Sequence, residues 1–358
     1  PSAFCLLTSA FHPLPAVRRW VIFVADLFAK TKFAKTNRIT RIGAMKRSLM
    51  FLAAWLLFAP ALVARADEAV FTRAGDVVYG RKFGMALTMD VFTPAKDANG
   101  AGVVFVVSGG WFSAHEAIRA TFFEELLGRG YTVFAVVHGS QPRFTIPECI
   151  ADLNRSVRYI RHNAADYKID PERIGITGLS AGGHLSLMQG TAGDLGKLDA
   201  MDPVERVSSR VQAVACFFPP TDFLNYGEPG NVALGRGTLK DFRAPFDFVE
   251  FKPETKAFER IDDEARQLDI GRQISPLTHV SGDDPPTLII HGDADKLVPI
   301  QQAEIIVASF KEAGVTAELV TKPGQQHGWP NLLDDMSTVA DWFDQHLSRV
   351  EAAPAARP

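Results

Sequence analysis

Hydrophobic positions along the chain alternate between short continuous apolar runs and longer segments with helical spacing. Runs such as Val103–Val107 and Thr287–Ile290 are typical of strands that are buried on both faces of a parallel sheet. The segment 147–162 instead places its apolar residues three and four positions apart, along one face of a helix. Strands that alternate with helices predict an α/β fold, in which right-handed crossovers wind a mostly parallel sheet of about eight strands flanked by helices.

The same pattern gives the expected bounds of each element, with the first two strands antiparallel. The predicted strands are 69–79, 87–92, 103–107, 131–137, 173–177, 211–218, 287–290 and 317–321, and the predicted helices are 116–127, 147–162, 181–189, 301–313 and 336–350. No repeat or low-complexity tract interrupts them, so we expect one catalytic domain over 67–350.

The alternation of strands and helices is interrupted between the predicted strands 211–218 and 287–290. Its roughly 70 residues are too long for an ordinary connection and carry several phenylalanines, which argues against a disordered linker. We expect a cap insertion at about 221–280 over the carboxyl edge of the sheet, with a helix-like part at 240–266.

The first 66 residues have the pattern of a processed segment. Lys46 and Arg47 precede an apolar run at 49–63, and Ala64-Arg65-Ala66 resembles a cleavage site, so 45–66 is predicted to be a signal peptide cleaved after Ala66. The alternatives are a buried helix or a membrane anchor, but the run is shorter than the ~18 residues that a spanning helix needs. We therefore expect a secreted or periplasmic protein without a stable membrane span, with 1–44 upstream of the natural start or non-native and 351–358 a frayed tail.

Composition is that of a globular protein, 22% charged and 47% hydrophobic, which excludes disordered and fibrous classes. Residues 1–66 hold ten Lys and Arg and one acidic residue, leaving 28 basic and 40 acidic residues in the remainder. This excess of acidic residues after residue 66 argues against nucleic-acid binding.

Cys149 and Cys216 could form one disulfide in an oxidising compartment or remain two buried thiols.

The first candidate chemical motif is Gly178-Leu179-Ser180-Ala181-Gly182, which follows one predicted strand and precedes a helix. This is the context of a G-x-S-x-G nucleophile elbow, where a strained turn projects the serine hydroxyl above the sheet. The small glycines accommodate the crowded backbone, and the Ala181 N–H at the helix start would face a developing oxyanion.

Two further motifs follow later strands. The segment His291–Pro299 offers Asp295 or Asp293 as a carboxylate; we favour Asp295, because Asp293 is closer to the strand and suited to capping the turn. Gly324–Trp329 holds His327 on a glycine-flanked loop, where a general base could reach the serine.

A fourth motif, Ser108-Gly109-Gly110-Trp111-Phe112, follows the strand 103–107 and could donate the second oxyanion N–H, from Gly109, Gly110 or Trp111. We expect an apolar substrate pocket to be lined by aromatic residues at the same sheet edge, namely Trp111, Phe112, Phe223, Tyr226 and Trp329. Single aromatics are as often packing residues.

The remaining histidines are expected to be structural. His184 is interpreted as a hydrogen-bonding residue, His291 as the cap of a strand end, and His138 as a packing residue near the site that could touch substrate. Neither a metal site nor a cofactor is predicted, because the chain has no Cys/His cluster, no helical His pair with an acid and no nucleotide-binding glycine motif.

Taken together, SGGW, GLSAGGH, HGDADKLVP and QQHGW resemble the α/β-hydrolase superfamily in its esterase branch. The sequence is similar to secreted bacterial carboxylesterases and the acetyl-xylan and feruloyl esterase-like group, over roughly residues 75–348. The resemblance implies Ser180 as nucleophile, Asp295 as acid and His327 as base, with oxyanion donors at Ala181 and the 109–111 turn. One departure is that Val107 and Ser108 stand where the family often has His and the first Gly of H-G-G-G-W.

The predicted function is hydrolysis of short-chain acyl or aryl esters through a Ser-His-Asp triad and an acyl-enzyme. The expected partner is a small-molecule or polysaccharide-linked ester. An acetyl-xylan or feruloyl esterase, a serine peptidase or amidase with the same triad, and a non-catalytic binding protein are the alternatives. The sequence leaves the natural ester and the oligomeric state open.

Overall fold

A computed structural model describes residues 70–348. The predicted signal peptide at 45–66, the segment 1–44 and the tail 351–358 lie outside the described residues. In the part that is described, none of the helices is both long and apolar enough to cross a membrane.

The central sheet has eight strands, in agreement with the predicted fold. In chain order the ten strands are β1 (Phe71–Lys82), β2 (Met85–Pro94), β3 (Gly102–Val107), β4 (Thr132–Val137), β5 (Ile174–Leu179), β6 (Ala213–Phe217), β7 (Val249–Lys252), β8 (Ala257–Arg260), β9 (Thr287–Gly292) and β10 (Ala317–Lys322). The sheet order is β1-β2-β4-β3-β5-β6-β9-β10, and β7 and β8 form a separate hairpin. In this eight-stranded sheet β1 pairs antiparallel with β2, and β2 with β4, whereas its other pairs are parallel. The predicted α/β fold with an antiparallel start is therefore confirmed.

Six α-helices accompany the sheet within residues 70–348. They are α1 (Glu124–Gly128), α2 (Ile146–His162), α3 (Ala181–Ala192), α4 (Glu264–Gln273), α5 (Gln301–Glu312) and α6 (Met336–His346). The start of α2 is fixed by Glu148, whose carboxylate accepts the backbone N–H of Thr145 at 2.8 Å, closing the first turn.

Apolar residues on the two faces of the sheet enter different cores, as the alternation of side chains along a strand requires. Val104 and Val106 of β3 join one cluster with apolar residues of α2, α3 and α5. Val103, Phe105 and Val107 join the other, with apolar residues of α6. The central strands are therefore apolar on both faces, which is why their sequence reads as continuous hydrophobic runs.

The predicted helix 116–127 is wrong in its extent. The structure has two short 3₁₀ turns, His115–Ala117 and Ala120–Phe122, before the five-residue α1. Ile118 and Arg119 between them are extended, with ψ of 122° and 112°. Phe123 packs its ring on Phe92 and Phe105 of the sheet. Contact with the sheet thus overrides the helical spacing.

The segment between β6 and β9 corresponds to the predicted cap insertion, but its helix-like part at 240–266 is wrong. The β7–β8 hairpin occupies 249–260, and α4 begins only at Glu264. Strand β7 alternates apolar and charged residues with period two, and Pro253 between the two strands is incompatible with a helix interior. The insertion approaches the turn after β3, because Phe223 and Phe246 both pack on Trp111.

The two cysteines within the described residues are free thiols, which confirms the second of the two alternatives. Cys149 lies in α2 and Cys216 in β6, and both are buried. The Cys149 thiol donates to the carbonyl of Gly139 at 3.1 Å. Burial raises the pKa of both thiols above the ordinary range, so they are poor nucleophiles.

Candidate active site

Ser180 stands on the turn between β5 and α3. Its backbone has φ 54° and ψ −117°, a conformation that is strained for any residue other than glycine. The turn is held by two backbone hydrogen bonds, from the Ser180 N–H to Phe217 at 2.9 Å and from the His184 N–H to Ser180 at 2.8 Å. The local geometry is that of the predicted nucleophile elbow.

The glycines beside Ser180 are required by close backbone contacts. A Cβ on Gly178 would lie 2.6 Å from the backbone of Gly182. A Cβ on Gly182 would lie 2.8 Å from the carbonyl oxygen of Val106 in β3. Two glycines therefore let α3 begin directly against β3 and the loop that follows it.

His327 connects Ser180 to Asp295. Its Nε2 lies 2.8 Å from the Ser180 Oγ, and its Nδ1 lies 2.7 Å from the Asp295 Oδ2. The imidazole ring also packs on Phe218, with ring centroids 4.5 Å apart. The three residues that the sequence singled out follow β5, β9 and β10 respectively, and they form one hydrogen-bonded chain.

Asp295 is oriented through both carboxylate oxygens. Its Oδ1 accepts the backbone N–H groups of Leu297 and Val298, at 2.8 and 3.0 Å, while Oδ2 faces His327. The Nε2 of His291, which donates to the Val298 carbonyl at 2.8 Å, lies 3.5 Å from the same Oδ2. The acid therefore has one oxygen committed to the loop and the other available to His327.

Burial of Asp295 by itself would raise its pKa, but hydrogen bonds from His291 and His327 outweigh that effect. The net result holds the pKa of Asp295 well below its usual range, so the residue is a carboxylate at neutral pH. A buried carboxylate beside a histidine stabilises the protonated form of the imidazole and fixes the tautomer of the neutral ring.

Asp293, the other candidate acid, has a different environment. It is exposed, and its Oδ1 accepts the Gly324 N–H at 2.6 Å, which ties the end of β9 to the loop that carries His327. Within residues 70–348 the structure therefore brings Asp295, and not Asp293, into contact with His327.

The predicted oxyanion turn is a tight reverse turn. Gly109 and Phe112 exchange both backbone hydrogen bonds at 3.0 Å, while Gly110 and Trp111 have φ of 56° and 59°. Because its N–H is used by Phe112, Gly109 is not an available donor, which corrects the prediction that included it. The N–H groups of Gly110, Trp111 and Ala181 have no hydrogen-bond partner among the described residues.

The predicted aromatic lining is only partly accessible. Trp111, Phe223 and Tyr226 are 2%, 0% and 1% exposed, so their side chains pack in the core instead of lining an open pocket, which corrects that expectation. The Tyr226 hydroxyl donates to Leu297 at 2.9 Å, next to Asp295. Phe112, by contrast, is 52% exposed.

Trp329, the fifth predicted lining residue, is buried to 9% exposure beside the His327 loop. Its ring lies 5.8 Å from that of Phe218, which in turn packs on His327. Its indole N–H donates to Asp335 at 2.7 Å. Trp329 therefore supports the loop that carries His327.

Comparison with known proteins places the chain in a family. The profile of the BD-FAE family matches residues 89–310, which is more than half of the chain. This chain belongs to the BD-FAE family. The predicted resemblance to α/β-hydrolase esterases is confirmed at that level.

The curated relatives of this BD-FAE protein include the probable carboxylic ester hydrolase LipM of Mycobacterium tuberculosis. The two are 31% identical over 275 residues, which is 73% of this chain and 57% of LipM. The chain spans 43% to 60% of the length of LipM and two further mycobacterial esterases, LipQ and LipC.

Solved structures similar to this BD-FAE protein cover more of their own length. A truncated form of a carbohydrate esterase from gut microbiota is 28% identical, with a TM-score of 0.64 over 79% of this chain and 99% of that chain. Esterase 2 of Thermogutta terrifontis, phosphonylated by sarin, is 26% identical, with a TM-score of 0.61 over 78% and 96%.

Sequence reasoning missed two contacts of this BD-FAE site. His138, at the end of β4, lies with its Nε2 2.9 Å from the Ser108 hydroxyl, and its Nδ1–H donates to Gly139 at 2.7 Å. Burial lowers the pKa of His138 to about 4, so its Nε2 is an acceptor. Phe242 packs against Gly110, where an added Cβ would lie 2.6 Å from its ring. The only sequence signal for His138 was its position after a strand adjacent to β3.

One group of possible metal ligands exists among residues 70–348, and it lies outside the triad. Asp76, Asp90 and His115 bring ligand atoms within 4.8 Å of one another. The buried Asp90 is already paired with Arg73, whose Nε lies 2.6 Å from its Oδ2. The guanidinium of Arg73 thus supplies the positive charge that a metal ion would otherwise provide to Asp90. That the protein binds no metal stays a prediction.

Proposed function

We propose that this protein is a serine ester hydrolase in which Ser180 is the nucleophile, His327 the general base and Asp295 the orienting acid. The observation that carries the proposal is the continuous chain of hydrogen bonds from Ser180 through His327 to Asp295, at 2.8 and 2.7 Å. Membership of a family whose relatives are esterases supports the reaction class.

The reaction begins when His327 Nε2 accepts the proton of Ser180 as Oγ attacks the ester carbonyl. Negative charge on the former carbonyl oxygen is stabilised by the N–H of Ala181 and by one or both of the N–H groups of Gly110 and Trp111. Protonated His327 then gives its proton to the leaving alcohol, which leaves Ser180 acylated. Water, deprotonated by His327, attacks this acyl-enzyme and releases the carboxylic acid and free Ser180.

The substrate class that we propose is short-chain acyl and aryl esters. Phe242 narrows the space directly beside Gly110, next to the proposed position of the carbonyl oxygen. Trp111, Phe223 and Tyr226 were predicted to line the pocket, but all three are buried. Their burial leaves little apolar surface for a long acyl chain. A rate that rises with acyl length beyond about eight carbons would contradict this assignment.

A carbohydrate ester is the second candidate substrate. The similar structure of a carbohydrate esterase from gut microbiota supports it. The two substrate classes would be ranked by comparing kcat/KM for acetylated xylan and feruloylated saccharides with kcat/KM for p-nitrophenyl acetate. Comparing the rates of hydrolysis of an ester and its matching anilide would separate an esterase from an amidase.

The proposed nucleophile is tested by Ser180→Ala. The variant is expected to lose p-nitrophenyl acetate hydrolysis by at least ~10³-fold while its thermal unfolding is unchanged, because only a hydroxyl is removed. Ser186→Ala is the matched control, since Ser186 lies on the same helix with its hydroxyl donating to Gly182 at 2.8 Å. Retained activity in Ser180→Ala, or equal loss in both variants, would refute the assignment.

We further propose that residues 45–66 direct export and that 67–350 form the mature catalytic domain. The basic, apolar and small-residue segments of 45–66 support this. Expression of the full chain in a bacterium and N-terminal sequencing of the exported protein should find Asp67 first. A product that stays uncleaved inside the cell would contradict export.

A further inference from the structure

His184 touches three parts of the site at once. It lies one helical turn after Ser180 in α3, and its backbone N–H donates to the Ser180 carbonyl at 2.8 Å. Its Nδ1 lies 3.1 Å from the indole nitrogen of Trp111 in the oxyanion turn. Its Nε2 lies 2.7 Å from the carbonyl oxygen of Ile274, just after α4 in the insertion. The side chain is fully buried.

The partners of His184 determine its tautomer. A carbonyl oxygen only accepts, so Nε2 carries the hydrogen that is donated to Ile274. An indole N–H only donates, so Nδ1 must offer a lone pair to Trp111. Only neutral imidazole satisfies both partners, and burial, which lowers the pKa of His184 to about 4, is consistent with that form.

Trp111 needs such an anchor because of its backbone. Its φ of 59° directly follows the φ of 56° at Gly110, and this left-handed conformation is unfavourable for a residue with a Cβ. The turn that exposes the N–H groups of Gly110 and Trp111 is therefore not the preferred local structure of this sequence. Burial of the indole at 2% exposure and its hydrogen bond to His184 offset that cost.

We propose that His184 is a positioning residue for the oxyanion turn: by accepting the Trp111 indole N–H while donating to Ile274, it fixes the direction in which the Gly110 and Trp111 N–H groups point. This inference rests on the proposed function. It predicts that His184 and Trp111 affect stabilisation of the transition state through the backbone of the turn, although neither side chain touches the substrate.

The test compares Trp111→Phe and His184→Phe with Trp342→Phe. Trp342 is the matched control, because it is also buried and its indole N–H donates to a backbone carbonyl, that of Pro286 at 3.4 Å, on the opposite face of the sheet. Loss of a whole oxyanion donor costs ~10²–10³-fold in kcat, so a displaced turn should cost ~10–100-fold. We expect this fall in kcat for Trp111→Phe and His184→Phe, with KM within about threefold, and no such fall for Trp342→Phe.

Three further measurements separate positioning from a general loss of stability. His184→Gln can present one acceptor and one donor, so it should recover part of the kcat lost in His184→Phe. The affinity for a boronic acid, which mimics the tetrahedral intermediate, should fall by the same factor as kcat. The double variant should lose little more than either single variant, because both break the same contact.

Three results would overturn the inference: kcat within threefold of wild type in Trp111→Phe, a loss that appears only in KM, or a loss that Trp342→Phe reproduces. Failure of the proposed function is distinguishable, because then wild type and Ser180→Ala would be equally inactive on every ester. That outcome would overturn the positioning role as well.

Discussion

Replacing Asp295 by Asn tests the orientation of the triad without changing its shape. Oδ1 of Asp295 accepts two backbone N–H groups at 2.8 and 3.0 Å, and only a carbonyl oxygen can take that place. The new NH₂ group must then face His327 Nδ1, where Oδ2 now lies at 2.7 Å. An NH₂ group donates, so His327 is forced to carry its hydrogen on Nε2, towards Ser180.

In that tautomer His327 cannot accept the Ser180 proton. The equivalent change in other Ser-His-Asp enzymes lowers kcat by ~10⁴-fold with the geometry preserved. We therefore expect kcat to fall ~10³- to 10⁴-fold, which corresponds to about 4 to 5.5 kcal/mol of transition-state stabilisation. KM should change little, because substrate binding does not use Asp295.

The assay is p-nitrophenyl acetate turnover, corrected for spontaneous hydrolysis, together with thermal unfolding of each variant. Asp293→Asn is the matched control, since among the described residues that exposed carboxylate accepts only the Gly324 N–H, which an amide oxygen can also accept. This variant should change kcat by less than about fivefold. If Asp295→Asn kept more than a tenth of the wild-type kcat, or if Asp293→Asn lost as much, the assignment of the acid would be wrong.

Three other predictions follow from the described contacts. Phe242→Ala should raise kcat/KM for p-nitrophenyl octanoate relative to the acetate by ~10-fold or more, because the ring that presses on Gly110 is removed; an unchanged ratio would contradict its role in acyl selection. Cys149 and Cys216 should react with a thiol reagent only after unfolding, as judged by peptide mapping, and fast labelling of either in the native protein would contradict their burial. Stability should fall as the pH is lowered from 6.5 to 4, because burial lowers the pKa of His138 and His184 to about 4 and the unfolded chain binds protons first; the loss is about 3 kcal/mol for each histidine. Urea unfolding at each pH measures this loss, and a flat profile would show that neither histidine is buried in its neutral form.

The fold could be predicted because the central strands are apolar on both faces. Val103–Val107 reads as a continuous hydrophobic run, since its side chains enter two cores in turn. Each chemical motif also follows such a strand, and parallel strands bring their carboxyl ends to one edge. The proximity of Ser180, Asp295 and His327 was therefore implied by strand order before any distance was known.

The spacing of hydrophobic residues within a segment gave wrong predictions where contacts between residues distant in sequence determine the structure. The spacing in 116–127 is helical, but Phe123 turns towards Phe92 and breaks the helix. The burial of Phe223 depends on its packing against Trp111, more than one hundred residues earlier in the chain. No single motif contains both partners.

In the oxyanion turn, too, the sequence pattern could not show which backbone N–H groups are available as donors. Three consecutive N–H groups were equivalent in the sequence, but the mutual hydrogen bonds of Gly109 and Phe112 remove one of them. The anchoring of Trp111 by His184 likewise joins the turn after β3 to a helix after β5. Such pairings follow from the way the loops pack, which hydrophobic periodicity does not encode.

The central claim, that Ser180 is a nucleophile activated by His327, is tested most directly by covalent labelling with a fluorophosphonate, followed by intact-mass measurement and peptide mapping. The account predicts one phosphonyl group per chain, attached to Ser180, with complete loss of esterase activity and no label in Ser180→Ala. An adduct on a different residue, or full inactivation with Ser180 unmodified, would contradict it.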